Sequence, residues 1–370
     1  VWLVVTEDLK AAEQLAEDLV LAHEAAGDAR PLTPLVFPES MPDSRDMREA
    51  FAASSDRLTV LSRLRPLRHG GGHEGTLVVL TTPAALLQPV PALEEFSTRE
   101  LTLTRGQAQS FQGLLEQLQQ LDYDSEAVCE APGHYAIRGG IIDVYPVTAN
   151  QPCRLDFFGD EIEDIRAFDP VTQRSGEPLA SVTLSASPRL KLADSTTGIA
   201  DYLAPSTRLV FIEPAALEGE FSAFAREVYP PAPDAHPLAP LLAKCPARFG
   251  LGDLDEASAL LDGATEEHTW DTESLAHHRT YPGDALVAQE RLHVEEEARG
   301  RFLQQLARWR ADGYTLLVVA ANAGERQRMG EILASAGLRP APRFLTGSLN
   351  EGFRLTHREG MAALDGLGPV

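Results

Sequence analysis

The chain has 370 residues, 44% of them hydrophobic, three cysteines and a formal net charge of −23. That length predicts two or three domains, and no apolar run approaches the roughly 18 residues of a membrane-spanning helix. The acidic charge argues against direct DNA binding, and three widely spaced cysteines support neither a disulfide framework nor a zinc site. We expect a multidomain cytoplasmic protein with reduced thiols and no membrane partner.

The first stretch, "VWLVVTEDLKAAEQLAEDLVLAHEAAG", predicts a buried strand and then an amphipathic helix that ends at Gly27. Thr6 is the expected cap of that helix, with Glu7 and Asp8 in its first turn. A helix amino terminus after a parallel strand often binds phosphate, but here carboxylates already neutralise it. The pattern indicates an α/β unit without a phosphate site.

The following segments continue an α/β domain. "PLVFPESMPDSRDM" predicts a proline-punctuated loop, "REAFAASSDRLTVLSRL" a helix, and "GTLVVLTTPAALLQPVP" a buried strand with a short helix. Parallel α/β character resumes at residues 208–214, and a further strand is expected near "ARFGLGD". The simplest architecture is an α/β domain interrupted by a smaller α+β module.

The interrupting module has one predicted helix, "QAQSFQGLLEQLQQLDY", followed by strands of alternating polarity with short turns. Residues 135–145 predict a single strand in which Gly139 and Gly140 allow a bulge or a close backbone approach. A hairpin is predicted where strand 153–158 turns back along 161–168, since Gly-Asp between two strands is a two-residue turn signal.

Alternation divides strand 153–158 into a core face and a polar face. The core face carries Cys153, Leu155 and Phe157, and the polar face carries Arg154, Asp156 and Phe158. An aromatic ring beside an arginine on an exposed sheet is typical of a protein-interface hot spot. The alternative is structural, with Phe158 packed under the module's helix while Arg138 and Arg154 pair with nearby acids.

The last part of the chain predicts a connecting region over about residues 229–285, then a long helix and a second strand–turn–helix unit in "YTLLVVAANAGERQRMGEILASAGL". In that unit Asn322 and Glu325 have capping-box spacing, and Gly337 ends the helix. The pattern predicts a small third α/β domain. Because the chain opens in "VWLVV" and closes in "LDGLGPV", we interpret it as a segment of a longer protein.

The sequence contains no convincing catalytic motif. A P-loop needs Gly-Lys-Ser/Thr, and none of Lys10, Lys191 and Lys244 follows a glycine. His277 and His278 are adjacent, so in a regular strand or helix their rings point apart and make a poor metal site. We expect no cofactor, no metal and no enzymatic activity in this segment.

A run of acids around the hairpin offers one enzymatic alternative, a metal-dependent hydrolase that uses clustered carboxylates. Its members are Asp156, Asp160, Glu161, Glu163, Asp164 and Asp169. These residues alternate along a hairpin and do not converge in one turn. The pattern therefore favours a solvated strand face on which Arg154 and Arg166 act as cross-strand partners.

The stretch "AIRGGIIDVYP…RLDFFGDEIEDIRAFDPVTQRS" resembles a signature shared by the bacterial excision-repair protein UvrB and the transcription-repair coupling factors of the Mfd family. Weaker similarity is present, in the family's order along the chain, in "LVFPES…SSDRLTVLSRL", "LVVLTTPAALLQPVP", "TGIADYLAPSTRLVFIEP" and "LLVVAANAGERQRMGEILASAGL…LTGSLNEGFRL". A UvrB should carry an intact P-loop and a long tyrosine-rich DNA-clamping hairpin, and this chain has neither. The resemblance is therefore closer to the amino-terminal region of the coupling factors, which lacks a working ATP site, and a degenerate UvrB-type protein is the alternative.

The resemblance implies a degenerate helicase-like, UvrB-like parallel-sheet domain, an inserted α+β module that recruits UvrA, and a small third α/β domain. The implied bounds are 1–96 with 191–265, then 97–190, then 285–350, with linkers at 266–284 and 351–370. The family's UvrA surface uses the arginine of the RGG stretch, the arginine before LDFF and the second phenylalanine of that run. Those positions are Arg138, Arg154 and Phe158, with Gly139, Gly140, Asp156, Phe157, Gly159 and Asp160 as the supporting motif.

The resemblance also implies a longer parent protein that is an ATP-dependent DNA translocase. ATP and Mg²⁺ would bind motor domains that lie outside these 370 residues. RNA polymerase and double-stranded DNA are the further partners implied for those missing parts. The segment itself would be a docking unit for UvrA.

Overall fold

The computed structural model describes residues 1–41, 45–69, 74–94, 100–149, 151–187, 197–228, 238–252, 258–263, 266–267, 271–278, 288–338, 342–349 and 351–356. The chain divides into two compact units, residues 1–13 with 33–262 (unit 1) and residues 14–32 with 263–370 (unit 2). The predicted boundaries near residues 96, 190, 265, 284 and 350 lie outside the described residues.

The strands of the described chain are β1 (Trp2–Val5), β2 (Leu32–Phe37), β3 (Thr76–Thr81), β4 (Glu100–Thr104), β5 (Asp124–Ser125), β6 (His134–Arg138), β7 (Ile141–Val144), β8 (Cys153–Phe158), β9 (Glu161–Phe168), β10 (Ser175–Pro178), β11 (Ser181–Ser185), β12 (Arg208–Ile212), β13 (Arg248–Leu251), β14 (Asp271–Ser274), β15 (Leu317–Ala320), β16 (Arg343–Thr346) and β17 (Phe353–Thr356).

The α-helices of the same ranges are α1 (Leu9–Ala26), α2 (Met47–Leu64), α3 (Pro83–Leu87), α4 (Phe111–Gln120), α5 (Pro214–Val228), α6 (Ala239–Lys244), α7 (Ala288–Ala311) and α8 (Ala323–Ser335). Helices α2, α3, α4 and α8 lie where the apolar periodicity predicts them. Within the part of the chain that the structure describes, no helix combines the length and the apolar character needed to cross a membrane.

A five-stranded sheet of order β13-β12-β1-β3-β2 forms the first part of unit 1. The pairs β1–β12, β1–β3 and β12–β13 are parallel, which confirms the predicted parallel sheet and its resumption after the module. Strands β1 and β3 bury almost every side chain, as strands covered on both faces must. Their continuous apolar runs are the sequence signature of that position.

Strand β2 occupies one edge of this sheet, where the sequence predicted only a loop. That prediction is wrong for residues 34–37, which belong to this strand. Proline at position 34 lacks a backbone N–H and weighs against a central strand, but an edge strand tolerates it. The edge position therefore explains how a proline-punctuated segment still pairs.

The amino terminus of α1 is capped by Asp8, because its Oδ1 accepts a hydrogen bond from the N–H of Ala11 at 2.7 Å. The prediction that Thr6 caps this helix is wrong. The buried Thr6 hydroxyl points to the carbonyl oxygens of Asp8 and Thr81, at 3.0 and 3.3 Å. A carboxylate thus occupies the helix end that a phosphate would need.

The inserted module follows β3 and α3 in the chain and precedes β12. It contains a six-stranded sheet of order β10-β9-β8-β7-β6-β5 and the antiparallel pair β4–β11, together with α4. All pairs of the larger sheet are antiparallel except β5–β6. The Gly159–Asp160 turn joins β8 to β9 and pairs Phe158 with Glu161, so the predicted hairpin is confirmed.

Residues 135–145 form two strands joined by a Gly139-Gly140 turn, so the prediction of one continuous strand is wrong. Gly139 has φ +65°, a conformation that reverses the chain and that glycine adopts without strain. The predicted close approach is present at Gly140, whose carbonyl accepts from Phe157 N–H at 2.9 Å. A Cβ on Gly140 would lie 3.3 Å from the Phe157 carbonyl oxygen.

One hydrophobic core runs through the parallel sheet and the inserted module. Leu3, Val79 and Leu58 of the first part belong to the same buried cluster as Ile142 and Leu155 of the module. The hydroxyl of Ser55 on α2 also donates to the carbonyl of Val147. The shared core fixes the module's sheet on the parallel-sheet layer.

Unit 2 contains the parallel pair β15–β16 with α8 between the two strands in sequence. The Asn322 side chain accepts from the N–H of Glu325 at 3.0 Å, as predicted, while the Glu325 carboxylate accepts from Ala321 N–H at 2.7 Å. Gly337 follows the helix with φ +75°. The guanidinium of Arg343 donates to carbonyl oxygens at the end of α1.

Strands β14 and β17 pair antiparallel, and the sequence predicted neither of them. Each lies in a stretch where a linker was expected. On β17 the guanidinium of Arg354 lies 5.5 Å from the Trp309 ring centroid and 5.7 Å from that of Tyr314. Short strands of four residues that rely on such distant contacts leave little local signal.

Candidate functional site

The module's sheet has a buried face and a polar face, as strand alternation predicted. Ile142, Leu155 and Ile165 pair in register across β7, β8 and β9 and are fully buried. The next row, offset by one residue, consists of Asp143, Arg154 and Arg166. Arg154, Asp156 and Phe158, which alternate along β8, therefore lie on the polar face.

Arg154 is held by Asp143, its cross-strand neighbour on β7. Its Nε and Nη2 donate to the two carboxylate oxygens at 2.7 and 2.9 Å. The Asp143 side chain is fully buried and that of Arg154 is 15% exposed. The hydrogen bond to Asp143 raises the pKa of the Arg154 guanidinium. The structural alternative, in which Arg154 pairs with an acid, is correct for this residue.

A small apolar cluster contacts the Arg154 guanidinium. The central carbon of that guanidinium lies 5.1 Å from the ring centroid of buried Phe168, which packs with Cys129 and Ala136. Burial raises the pKa of the Cys129 thiol to about 12, so this thiol is uncharged at neutral pH. The three cysteines are free and buried, as expected.

Phe158 is 79% exposed at the end of β8, so the alternative in which it packs under the module's helix is wrong. The residue that packs there is its neighbour Phe157, whose ring makes an edge-to-face contact with Phe111 of α4 at 5.1 Å between centroids. A one-residue step along a strand exchanges the two faces, which separates the buried ring from the exposed one.

The hairpin that carries Phe158 is fixed at its tip. The N–H of Gln109 donates to the carbonyl of Asp160 at 2.8 Å, and the N–H of Gly106 donates to the carbonyl of Ile162 at 2.7 Å. Gly159 at the turn has φ +63°. Backbone hydrogen bonds on this side hold the exposed ring on rigid backbone.

Arg138 lies at the end of β6 and is exposed. Its Nη2 donates to Oε1 of Gln173 at 2.9 Å, so its partner is an amide and not an acid. Gln173 belongs to the turn between β9 and β10. Arg154 reaches the same segment, because its Nη1 donates to the hydroxyl of Ser175 at 3.3 Å.

The three predicted interface residues are not one contact cluster. Arg138 and Arg154 converge on the segment 173–175, whereas Phe158 lies four residues beyond Arg154, about 13 Å along the strand. Asp156, between them on the polar face, is half-buried and pairs in register with Ile141 and Asp164. The arrangement is an extended surface of two arginines and one aromatic ring.

The carboxylate run does not converge on one point. Asp164 pairs with Arg166, and this hydrogen bond lowers the pKa of the Asp164 carboxyl. Asp169 accepts from the N–H groups of Val171 and Thr172. In the ranges that the structure describes, no group of three or more His, Cys, Asp or Glu side chains is placed to hold a metal ion.

The prediction that the rings of His277 and His278 point apart is wrong. They lie in a 3-10 turn with ring centroids 4.1 Å apart, and His278 also contacts Phe302 at 5.1 Å. Burial lowers the pKa of His278. The 3-10 turn, absent from the sequence prediction, brings the two side chains together.

Three residues that contact the two arginines were missed from the sequence: Asp143, Gln173 and Ser175. One feature of the sequence could have identified Asp143, because it is a lone carboxylate in the apolar run "GIIDVYP". A buried charge in such a run needs a partner, and its neighbour across the sheet is Arg154. Gln173 lies in the turn between β9 and β10 and Ser175 begins β10, so the positions of both depend on strand register.

The part of the chain that carries this surface is similar to known proteins. Residues 101–189 match the model of the UvrB interaction domain, and this range covers every residue of the candidate surface. The resemblance predicted from the sequence is confirmed. The chain is also similar to three transcription-repair-coupling factors from different bacteria.

The relative from Bacillus subtilis is 28% identical over 183 residues, 49% of this chain. The relative from Mycobacterium bovis is 35% identical over 174 residues, 47% of this chain, and that from Myxococcus xanthus is 31% identical over 192 residues, 52% of this chain. The matches span only 14%, 14% and 16% of the respective relatives. The similarity therefore concerns a minor part of each relative.

Proposed function

We propose that this chain is the amino-terminal segment of a transcription-repair coupling factor and that its inserted module binds UvrA. We call Arg138, Arg154 and Phe158 the docking surface. The observation that carries the proposal is the 79% exposure of Phe158 on a fixed hairpin, within the residues that match the UvrB interaction domain. An exposed aromatic ring near arginines on rigid backbone has the composition of an interface hot spot.

The docking surface assigns a different task to each residue. Phe158 is the apolar anchor, because its ring loses most contact with water only when a partner covers it. Arg138 donates one hydrogen bond to Gln173, and because a guanidinium has five N–H donors, this residue can also donate to acidic or carbonyl groups of UvrA. Arg154 joins the surface to the buried Asp143 and fixes the sheet beneath it.

The parallel-sheet part of unit 1 has the role of a scaffold in this proposal. We interpret it as a degenerate helicase-like domain, similar to that of UvrB, in which Asp8 occupies the helix end where a nucleotide phosphate would bind. The motor would lie in other parts of a longer parent protein. That parent would be an ATP- and Mg²⁺-dependent DNA translocase that engages RNA polymerase and double-stranded DNA in the cytoplasm.

The coupling role follows from joining these parts. The motor would displace a lesion-stalled polymerase, and the docking surface would bring UvrA to the same site. Within this segment, the net charge of −23 favours a protein partner over a phosphate backbone. The segment contributes recruitment and no catalysis.

Calorimetric titration of the chain with purified UvrA tests the proposal. Arg138→Ala and Phe158→Ala should each weaken binding by about 2 to 4 kcal/mol, which corresponds to at least about 30-fold in Kd. Matched controls are Arg63→Ala and Phe353→Ala, which remove an exposed arginine of α2 and a 59% exposed phenylalanine of unit 2. Both controls should bind as the wild type does.

Circular dichroism must show that each variant is folded. Folded wild-type chain that fails to bind UvrA would refute the docking role. If Arg138→Ala and Phe158→Ala both bind UvrA as tightly as the wild type, UvrA is still a partner but its binding site is not the docking surface. These two results are distinguishable in a single set of titrations.

A further inference from the structure

Residues 169–175, which comprise the turn between β9 and β10 and the first residue of β10 and are called the 169–175 turn below, are fixed by several hydrogen bonds. The Asp169 carboxylate accepts from the N–H of Val171 at 2.8 Å and of Thr172 at 3.1 Å. The side-chain amide of Gln173 donates to the carbonyl of Pro170 at 2.6 Å. The Gln173 N–H also closes the turn on the carbonyl of Asp169 at 2.8 Å.

Gln173 has φ +59°, a left-handed conformation that is costly for a residue with a Cβ. Glycine would satisfy this backbone without strain, and asparagine would adopt it more easily than glutamine. The glutamine side chain has two tasks that glycine cannot perform. It bonds the Pro170 carbonyl and accepts a hydrogen bond from Arg138. Strain of this kind points to a functional requirement at the position.

Both arginines of the docking surface reach this turn. Arg138 donates to Gln173 at 2.9 Å and Arg154 donates to Ser175 at 3.3 Å. The turn therefore sets the direction of the Arg138 guanidinium and contacts that of Arg154. It lies beside the proposed UvrA-binding residues and continues their surface.

Val171 stands at the apex of the turn with 90% of its surface exposed, more than any other large hydrophobic residue that the structure describes. The N–H of Val171 and the N–H of Thr172 both donate to the Asp169 carboxylate, so the Val171 side chain is presented on rigid backbone. An aliphatic side chain held out in this way contributes nothing to the core. A partner with a small apolar recess would bury it at low entropic cost.

We propose that the 169–175 turn is the second half of the docking surface, with Val171 entering an apolar recess on UvrA and Gln173 acting as a positioning residue for Arg138. This inference rests on the proposed function, since it assigns the same partner to the turn. Its occupant is UvrA because the turn is hydrogen-bonded to both arginines of that surface and is continuous with them. Phe158 and Val171 are then apolar anchors that flank the two arginines.

Two variants test the proposal by titration with UvrA. Val171→Ser should weaken binding by about tenfold, while the matched control Val20→Ser, at a 50% exposed valine of α1, should not. In Gln173→Asn, the asparagine tolerates the left-handed backbone conformation. Its side chain is too short to accept the hydrogen bond from Arg138 as glutamine does. It should weaken binding by about three- to tenfold while the chain unfolds at the same temperature or higher.

A double-mutant cycle separates positioning from a merely structural effect. In the Arg138→Ala background, Gln173→Asn should cause no further loss, because the residue it positions is gone. Equal losses of affinity in both backgrounds would overturn the positioning role. Wild-type affinity in Val171→Ser would overturn the anchor role.

The outcomes also distinguish this inference from the proposed function. Loss of binding in Phe158→Ala with full binding in Val171→Ser and Gln173→Asn leaves the docking surface and removes the turn from it. A wild-type chain that does not bind UvrA removes both. Sedimentation that shows a dimer of the chain, lost in Val171→Ser, would assign the turn to self-association and overturn the inference.

Discussion

The two carboxylate oxygens of Asp143 accept hydrogen bonds from Nε and Nη2 of Arg154, and the aspartate side chain is completely buried. A buried carboxylate is tolerated because the guanidinium neutralises it and satisfies its acceptors. Arg154 therefore has a structural task in addition to any contact with UvrA. A loss of UvrA binding in an Arg154 variant has two explanations, whereas Arg138 and Phe158 give cleaner tests.

Arg154→Ala should destabilise the chain by about 3 to 5 kcal/mol, because it leaves Asp143 buried without a partner. Urea denaturation followed by circular dichroism measures this change. Arg154→Ala combined with Asp143→Ala should recover part of the loss, since no orphaned charge is left in that variant. An Arg154→Ala single variant as stable as the wild type would show that the ion pair carries no net free energy of folding.

Phe157→Ala and Phe158→Ala should have opposite profiles, although the residues are neighbours. Phe157→Ala should cost about 2 kcal/mol or more of folding free energy, because its ring packs on Phe111 and the core. Phe158→Ala should change stability by less than about 0.5 kcal/mol, since the ring is in solvent. Chemical denaturation of both variants checks this, and an equally unstable Phe158→Ala would place that ring in the core.

The parallel sheet was predictable because its central strands are covered on both faces. The sequences of strands β1, β3 and β12 are therefore unbroken apolar runs, which can be recognised in a single amino-acid sequence. Strand β2 escaped detection because its proline suits only an edge, and edge position is a property of the sheet. The 139–140 turn was misread because a glycine pair permits a bulge or a reversal, and only pairing decides between them.

The polar face of β8 was also predictable, since alternation alone assigns Arg154 and Phe158 to it. The ion pair was not, because Asp143 and Arg154 meet through the register of two strands joined by a long turn. The contact between Arg138 and Gln173 joins β6 to a turn 35 residues later in the chain, and only the pairing of the strands between them brings the two side chains together. Contacts of that kind follow from tertiary structure and leave no local pattern.

Gly139→Ala should destabilise the chain by about 1 kcal/mol, because φ +65° is strained for any residue with a Cβ. Gly139→Asn should cost less, since asparagine tolerates this conformation. Gly140→Ala should be destabilising for another reason, because its Cβ would press on the Phe157 carbonyl at 3.3 Å. Thermal unfolding of the three variants tests the order, and a neutral Gly140→Ala would show that β8 yields easily.

Divalent cations should not bind the carboxylate run. The Asp164 carboxylate forms an ion pair with Arg166 and lies 3.8 Å from the guanidinium of Arg105. One carboxylate oxygen of Asp169 accepts a hydrogen bond from the N–H of Val171. A hard cation needs several convergent oxygens that these contacts do not provide. Titration with Mg²⁺, Mn²⁺ and Ca²⁺ should give no saturable heat. Saturable binding that disappears in Asp164→Asn would revive the metal-dependent hydrolase.

Acid should loosen the 169–175 turn before the rest of the module. Hydrogen bonds from the N–H groups of Thr172 and Val171 lower the pKa of Asp169 below its ordinary value of about 3.9. A lowered carboxyl pKa means that the charged form stabilises the turn at higher pH, and this contribution is lost as the pH falls through the folded-state value. The change should therefore appear below about pH 4 and be absent between pH 5 and 8.

Amide chemical shifts of Val171 and Thr172, followed by NMR from pH 7 downward, measure this transition directly. Asp169→Asn should remove the pH dependence while it keeps part of the turn, because an amide oxygen still accepts hydrogen bonds but cannot titrate. If UvrA binds this turn, Asp169→Asn should retain most of its affinity for UvrA. Asp169→Ala should bind UvrA several-fold more weakly, because Val171 becomes mobile. Amide shifts that move above pH 5 would assign the transition to another group and contradict the role given to Asp169.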